Sequence, residues 1–408
     1  ILTFVYSMAS RREANRELTR PQFEENLRTL FPELESLPHH DTLKRLLDRI
    51  DVEEIQEALL ELVRGLFRNK KFRRYLIDKR YVVAIDGTQK HTWEHCWSEE
   101  ALQYETQTSD TTKTRYSVYV LEANLILPAN SESSTGIALP LLSEFLTYDD
   151  GNPESDKQDC ELKAFTRLAK RLKESFPRLP LLLLLDGLYP NGPLFALCRK
   201  YGWQFMMVLK EKHLPSLWEE FQALRPLLPD QTLKQTWKGR RQTFSWVNNL
   251  PYEYGPNGRH RVTVHVVACN ETEVTLDSDS NQLASQTKQH VWVSSNPLTH
   301  KNVHDRCNLA ARRRWDIENS FLVEKHQGYH YEHCYAYSWN ALKGYHYLMR
   351  LAHCLNQLVR LCAALTEFIA SLGVQPFLRF LRDTMTGPWL HQERLRPLLT
   401  QAPQLRLT

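Results

Sequence analysis

The apolar positions along the chain keep two rhythms, and the changes between them mark out the elements. Residues 1–80 keep a helical one. In "DVEEIQEALLELVRGLF", Val52, Ile55, Leu59, Leu62 and Leu66 recur at intervals of three and four, with Asp51 as the expected N-cap and Glu54 completing the capping box. Then come "YVVAID" and, about a hundred residues later, "LPLLLLLDG". Each is an unbroken apolar run of strand length ending at Asp-Gly, the pattern of a strand covered on both faces in a largely parallel sheet. Between them lie two strand-like runs, "RYSVYVLEANLIL" and "GIALPLLSEFL", and one helical run, "DCELKAFTRLAKRLKESF". A short helix, "PLFALCRKYG", and a strand, "WQFMMVLK", follow, an order that belongs to an α/β layer fold.

From about residue 211 to 306 the texture changes. "LKQTWKGRRQTFSWV", "HRVTVHVVACN" and "QHVWVSS" are short, β-rich and separated by turn sequences such as "YGPNGR". The rhythm turns helical again over 338–370, and "GVQPF" opens a Pro-marked tail. The predicted organisation is a helical region at 1–78, the first part of an α/β core at 79–210, a β-rich insertion at 211–306, further core helices at 307–372 and a tail at 373–408. The helical N-terminal region is a candidate for DNA binding.

One helical stretch breaks its own pattern. In "RRRWDIENSFLVEKHQGY", residues 312–329, a rotation of ~100° per residue puts Arg314, Glu318 and Lys325 on one narrow stripe. Trp315 and Leu322 flank the stripe on one side, and Ile317 and Phe321 on the other. The opposite sector, with Arg312, Arg313, Asp316, Asn319, Ser320 and Glu324, reads as an ordinary solvated face. The stripe is thus a second polar sector wedged into the apolar face. A surface pair between Arg314 and Glu318 would contribute only ~0.2–0.5 kcal/mol, and such pairs are not normally bracketed by Trp, Ile, Phe and Leu. A carboxylate in that setting calls for a partner such as a metal or a phosphate.

The totals limit the possibilities. With 408 residues, 42% of them hydrophobic, the chain can bury a large core. Its net charge of +4 means that a nucleic-acid footprint must come from local clusters such as "RNKKFRR" and "KGRR". The eight cysteines are scattered and never form CxxC, which argues for reduced thiols. No apolar run approaches the ~18 residues of a membrane span, and the opening "ILTFVYSM" lacks the charged start of a signal peptide. A soluble, cytoplasmic protein is expected, with Met8 as a possible start.

Asp86 and Asp186 both fall at the C-terminal ends of predicted buried strands, where open α/β sheets place ligands. With Glu318 they would make three converging carboxylates, which repel unless a cation joins them. Hard divalent ions such as Mg²⁺ or Mn²⁺ take oxygen ligands, and two ions ~3.5–4 Å apart clamp the attacking and leaving oxygens of a phosphoryl displacement. Basic residues beside Glu318 would hold the phosphates.

With these residues in place, the chain resembles the DDE transposases of bacterial insertion sequences, in the insertion-sequence-four group. That group carries a Tyr-x2-Arg-x3-Glu-x6-Lys signature. Arg314, Glu318 and Lys325 match at the right spacing, while the Tyr position holds Ala311. "IDGTQ", "DCELKAFTRLAKRL", "LLDGLYPNGPLF" and "QGYHYEHCYAYSWNALKGYHYLMRLAH" carry the resemblance over roughly residues 38 to 360. It implies an RNase H-like catalytic core interrupted by a β-rich insertion, and a homodimer acting on transposon-end and target DNA in the bacterial cytoplasm, nucleoid-associated when bound. It also implies catalysis by Asp86, Asp186 and Glu318 through two Mg²⁺ or Mn²⁺ ions, phosphate contacts from Arg314 and Lys325, and an insertion tryptophan that stacks on a flipped base. Trp292 is the first candidate for that stacking, with Trp237 and Trp246 as competitors.

Two rivals stand beside this reading: another RNase H-like nuclease acting on structured DNA, and a degenerate or domesticated transposase that only binds DNA. The missing Tyr favours the second, and the presence of all three acids opposes it. "HTWEHC" and "GYHYEHC" place His91, His95, Cys96, His330, His333 and Cys334 at spacings that could bind zinc, but without a CxxC pair the better expectation is packed or solvated side chains.

Overall fold

The unbroken apolar runs form the middle of a wide mixed sheet. In the computed structural model, which describes residues 1–8, 10–108, 111–128, 136–147, 160–276, 283–388 and 391–400, "YVVAID" begins β1 (Tyr81–Trp93) and "LLLLL" is β5 (Leu181–Leu185). The two pair in parallel, Tyr81 to Leu181 through Ala84 to Leu184, and β5 pairs in parallel with β6 (Gln204–Val208). All five residues of β5 are fully buried, as expected of a strand covered on both faces. β3 (Thr111–Leu127) runs antiparallel to β1. Its other edge takes β2 (Leu102–Thr108) near one end and β4 (Ile137–Leu146) near the other.

The β-rich insertion supplies β7 (Thr232–Trp237), β8 (Arg240–Tyr254), β9 (His260–Leu276) and β10 (Leu283–Ser294). It continues the core sheet, because Trp292 of β10 pairs with Val208 of β6. The order among the described residues is β2-β3-β1-β5-β6-β10-β9-β8-β7, with β4 beside β3.

Before the sheet come helices α1 (Leu2–Val5), α2 (Arg11–Leu18), α3 (Pro21–Leu30), α4 (His40–Leu47) and α5 (Glu53–Arg68). Within and after it come α6 (Glu161–Ser175), α7 (Gly192–Tyr201), α8 (Pro215–Leu224), α9 (Trp315–His326) and α10 (Trp339–Arg360), then α11 (Thr366–Leu372), α12 (Val374–Thr386) and α13 (Gln392–Leu399). β1 feeds two layers by simple alternation. Val83 and Ile85 pack with Leu59 and Val63 of α5 and with Leu168 and Leu172 of α6, while Val82 and Ala84 pack with Ile317 and Phe321 of α9. No helix among the described residues is long and apolar enough to cross a membrane.

Four details depart from the sequence reading. Helix α5 starts at Glu53 with Val52 as its N-cap; the Asp51 carboxylate accepts the Glu53 amide at 3.0 Å, and the expected box between Asp51 and Glu54 does not form. Strand β2 and helix α8 had no clear signal, since β2 is short and polar and α8 buries only Leu217 and Phe221. The "GVQPF" segment is helical, with Pro376 in the first turn of α12, where its missing N–H leaves no gap in the hydrogen bonding. That helix closes back on α3: Asn26 donates to the Met385 and Gly387 carbonyls at 2.9 and 2.8 Å.

Candidate active site

Parallel pairing brings the two aspartates level. Ala84 sits opposite Leu184, so Asp86 and Asp186 each lie two residues beyond the last matched pair. Asp186 follows the end of β5, but Asp86 does not end its strand as the sequence predicts, because β1 runs on to Trp93 with Asp86 paired to Glu122 of β3. Asp186 follows the last residue of β5, and its Oδ1 accepts the Leu188 amide at 2.8 Å in a tight turn. The Lys210 side chain packs closely over Gly187, where a Cβ would lie 2.7 Å from its Cε. Asp86 Oδ1 accepts the Gly87 amide at 3.1 Å.

Glu318 arrives on α9 from one face of the sheet. A π-helical turn over Asp305–Ala310 and a 3₁₀ turn over Ala311–Arg314 lead into that helix, so the uniform ~100° rotation assumed from sequence holds only from Trp315 onward. Arg314 is 8% exposed and bridges the site, donating to Asp86 Oδ2 at 3.1 Å and to Glu318 Oε1 at 2.6 Å. Lys325 lies further along α9 and pairs with Glu332 at 2.9 Å. Ala311 is 5% exposed and lines the cleft.

The solvated face expected on α9 is in fact the buried one. Asp316, Ser320 and Glu324 are buried, whereas Trp315 is 60% and Leu322 55% exposed. The physical reason lies on α10. Glu324 accepts from Arg350 Nη1 at 2.7 Å and lies 2.6 Å from His353 Nδ1, while Arg350 and His346 also pair with Glu122 of β3 at 3.2 and 3.1 Å. Glu324 can be buried with those partners, and the apolar Trp315 and Leu322 are left on the outside. On the same face, among the described residues, Ser320 Oγ is buried without a hydrogen-bond partner and Asp316 has only Arg313 at 3.7 Å.

Asp86 sits in a strongly perturbing electrostatic setting. Burial raises its carboxyl to about 6; Arg314 opposes the rise, and the charges of Glu318, Asp186 and Glu161 add to it. The sequence reading had not singled out Glu161. It opens α6 and accepts hydrogen bonds from Tyr119 at 2.6 Å and Tyr189 at 2.9 Å. The only trace in the sequence was its place in the segment "DCELKAFTRLAKRL". An oxygen-only set with an excess of negative charge fits a hard divalent ion by donor chemistry. As the side chains stand, no group of three His, Cys, Asp or Glu among the described residues is disposed to hold a metal, and the Arg314 guanidinium supplies the positive charge between Asp86 and Glu318.

Beside Asp186 opens a cleft of about 580 Å³, lined among others by Lys210, Trp292, Arg312, Arg314 and Trp315. Trp292 is buried; His290 stacks parallel to it at 5.7 Å and the Arg312 guanidinium lies 6.0 Å from its ring centre. Trp246 is buried against His300, and Trp237 sits 5.8 Å from Arg312. Among the described residues Trp315 is the exposed indole beside the cleft, and the Arg314 guanidinium packs 4.9 Å from its ring centre. Of the basic runs, "KGRR" forms the β7–β8 turn, with Arg240 paired to Glu271 and Glu273, and "RNKKFRR" follows α5. Among the His and Cys residues weighed for zinc, His91 packs on Trp93, His333 packs on Tyr335 and the Cys334 thiol donates to the Ala336 carbonyl.

No curated protein matches the chain. Residues 156–356, which include Asp186 and Glu318 but not Asp86, match the model of a family described as Transposase DDE domain, and this similarity supports a DDE transposase.

Proposed function

We propose that the protein is an insertion-sequence transposase that cuts the ends of its element and joins them to target DNA by a cut-and-paste reaction. One observation carries the reading. Two aspartates stand level just beyond the point where the parallel pairing of β1 and β5 ends, and a guanidinium ties one of them to a glutamate on a helix that crosses the same sheet face. The strand order β4-β3-β1-β5-β6, with β3 antiparallel, supports an RNase H-like core, and the insertion-sequence-four grouping rests on the Arg314, Glu318 and Lys325 spacing.

Asp86, Asp186 and Glu318 would hold the divalent ions, Mg²⁺ or Mn²⁺. When bound, such ions activate water and stabilise the charge on attacking and leaving oxygens of a phosphodiester. The chain's own residues do the rest. Arg314 presents a planar fork suited to a phosphate, Lys210 adds positive charge in the cleft, and Lys325 adds a further cation in the last turn of α9. Trp315 offers an exposed ring on which a base can stack. Both ends are cut together, so a homodimer on transposon-end and target DNA is part of the proposal, as is a cytoplasmic site of action.

The test is incubation of the purified protein with Mg²⁺ and DNA carrying the element's terminal repeats, with products resolved by size. Cleavage at the repeat boundary followed by joining is expected. Glu318→Gln or Asp186→Asn should lower it by roughly 10³-fold, the rate equivalent of several kcal/mol of transition-state stabilisation, while leaving end binding in place. Cleavage of branched DNA without joining would make the protein a structure-specific nuclease, and tight binding without either would make it a DNA-binding relic.

A further inference from the structure

Glu161 reaches the site from the opposite side of the sheet to Glu318. Alternation along β1 turns Asp86 toward α9 and the Gly87 position toward α6, and Glu161 is the first residue of α6. Its two carboxylate oxygens are shared between two tyrosines. Oε1 accepts from Tyr119, a β3 residue paired with Gln89 of β1, and Oε2 accepts from Tyr189, three residues beyond Asp186. Gly87 makes the first contact possible: a Cβ there would lie 2.5 Å from Tyr119 Cε1 and 2.9 Å from Glu161 Cδ. Tyr189 is fully buried, its ring tilted against Phe165 of α6 at 5.5 Å, and its amide approaches the Asp186 carbonyl at 3.4 Å. Burial and the Glu161 charge raise both phenols, so both stay protonated and donate.

We infer that Glu161 is a positioning residue: through Tyr119 and Tyr189 it clasps the stretch of β1 that carries Asp86 to the turn that carries Asp186 and fixes the spacing of the two aspartates. The inference rests on the reading of those aspartates as the catalytic pair. The helix N-terminus favours the negative charge where it sits. Each tyrosine governs one end, so each end can be loosened separately. A carboxamide can replace the carboxylate, since its oxygen accepts from one phenol and its nitrogen donates to the other.

The test combines hydrogen exchange at the amides of residues 86–89 and 186–189 with Mn²⁺ binding by calorimetry, on the full chain. Glu161→Ala should speed exchange at both ends and weaken Mn²⁺ by about 10–100-fold, the usual loss when an outer partner of a metal ligand is removed. Glu161→Gln should stay within about threefold of wild type in both readouts. Tyr119→Phe should loosen only the Asp86 end and Tyr189→Phe only the Asp186 end. If Glu161→Gln loses Mn²⁺ affinity as far as Glu161→Ala, the carboxylate acts as a ligand and the clasp is wrong. It is equally wrong if Glu161→Ala leaves exchange at both ends unchanged. Wild-type protein that binds no Mn²⁺ would overturn the metal chemistry of the proposed function, while the exchange pattern would still decide the clasp.

Discussion

Glu318 and Glu324 lie six residues apart on α9, and their surroundings differ in every respect that matters. The Glu318 side chain is 33% exposed and meets one cation, Arg314, which it shares with Asp86. Glu324 is fully buried and meets Arg350 and His353, with Glu122 sharing the same guanidinium from β3. The first arrangement leaves a carboxylate able to exchange its partner for another cation. The second fixes the helix to the sheet and to α10. A buried charge here is a sign of architecture, and the half-exposed one is the sign of chemistry.

The two faces differ in sign as well. Burial works against Glu122, yet Arg350 and His346 hold its carboxyl down at about 2, and Glu324 is lowered in the same way by Arg350 and His353. Groups lowered on folding add stability above the ordinary glutamate value near 4.5, and that stability is lost as pH falls from there toward 2. Asp86 is raised to about 6, so its ionisation opposes folding: the cost is absent below 3.8 and complete above 6. The cleft face costs stability at neutral pH and the back face contributes it.

Arg350→Met is the sharpest way to break that contrast. It leaves two buried glutamates without their shared guanidinium and should cost about 3–5 kcal/mol at pH 7. Thermal melts would show the deficit. The gap from wild type should narrow as pH falls from 4.5 toward 2, because protonated glutamates no longer need the cation. A gap that stays constant over that range would mean that the loss comes from packing alone.

The same contrast shows which parts were legible in the sequence. β1 and β5 could be read because strands buried on both faces need unbroken apolar runs, but Asp-Gly marks a strand end only after β5, since β1 runs on past Gly87 to Trp93 beside β3. The stripe of Arg314, Glu318 and Lys325 could be read as an anomaly for the same reason. The orientation of α9 could not. Hydrophobic rhythm assigns Asp316, Ser320 and Glu324 to water, and for Glu324 it is Arg350 and His353, brought in by the fold, that reverse this. The π and 3₁₀ turns before Trp315 also shift the phase that the spacing assumes. Glu161 was hidden because its role depends on Tyr119 and Tyr189, far away in the chain on either side.

Trp315 sharpens the comparison from the open side. With 60% of its surface exposed it contributes little to the core, so Trp315→Ala should change stability by no more than about 0.5 kcal/mol. If the ring stacks on a base, the same change should weaken DNA binding by about 1–3 kcal/mol, measured by titration of labelled DNA. Trp292→Ala, on a buried ring, should show the reverse pattern: a lower melting temperature first, with any loss of binding following from it.

The smallest effect is expected at Lys325. Its ammonium lies 2.9 Å from Glu332, a partner 54% exposed, and a pair that open to solvent contributes only about 0.2–1 kcal/mol. Glu332 therefore competes weakly with a DNA phosphate for the same cation. Lys325→Ala should lower the salt dependence of DNA binding by about one charge's worth, because one fewer counterion is released. Glu332→Gln should work the other way: it frees Lys325, removes a repelling charge and strengthens binding by up to about 1 kcal/mol, most visibly at low salt. Together the two variants separate a phosphate contact from a surface ion pair. If both lower the melting temperature slightly and neither moves the salt slope, Lys325 serves Glu332 and the loop after α9, and the polar stripe of the cleft ends at Glu318.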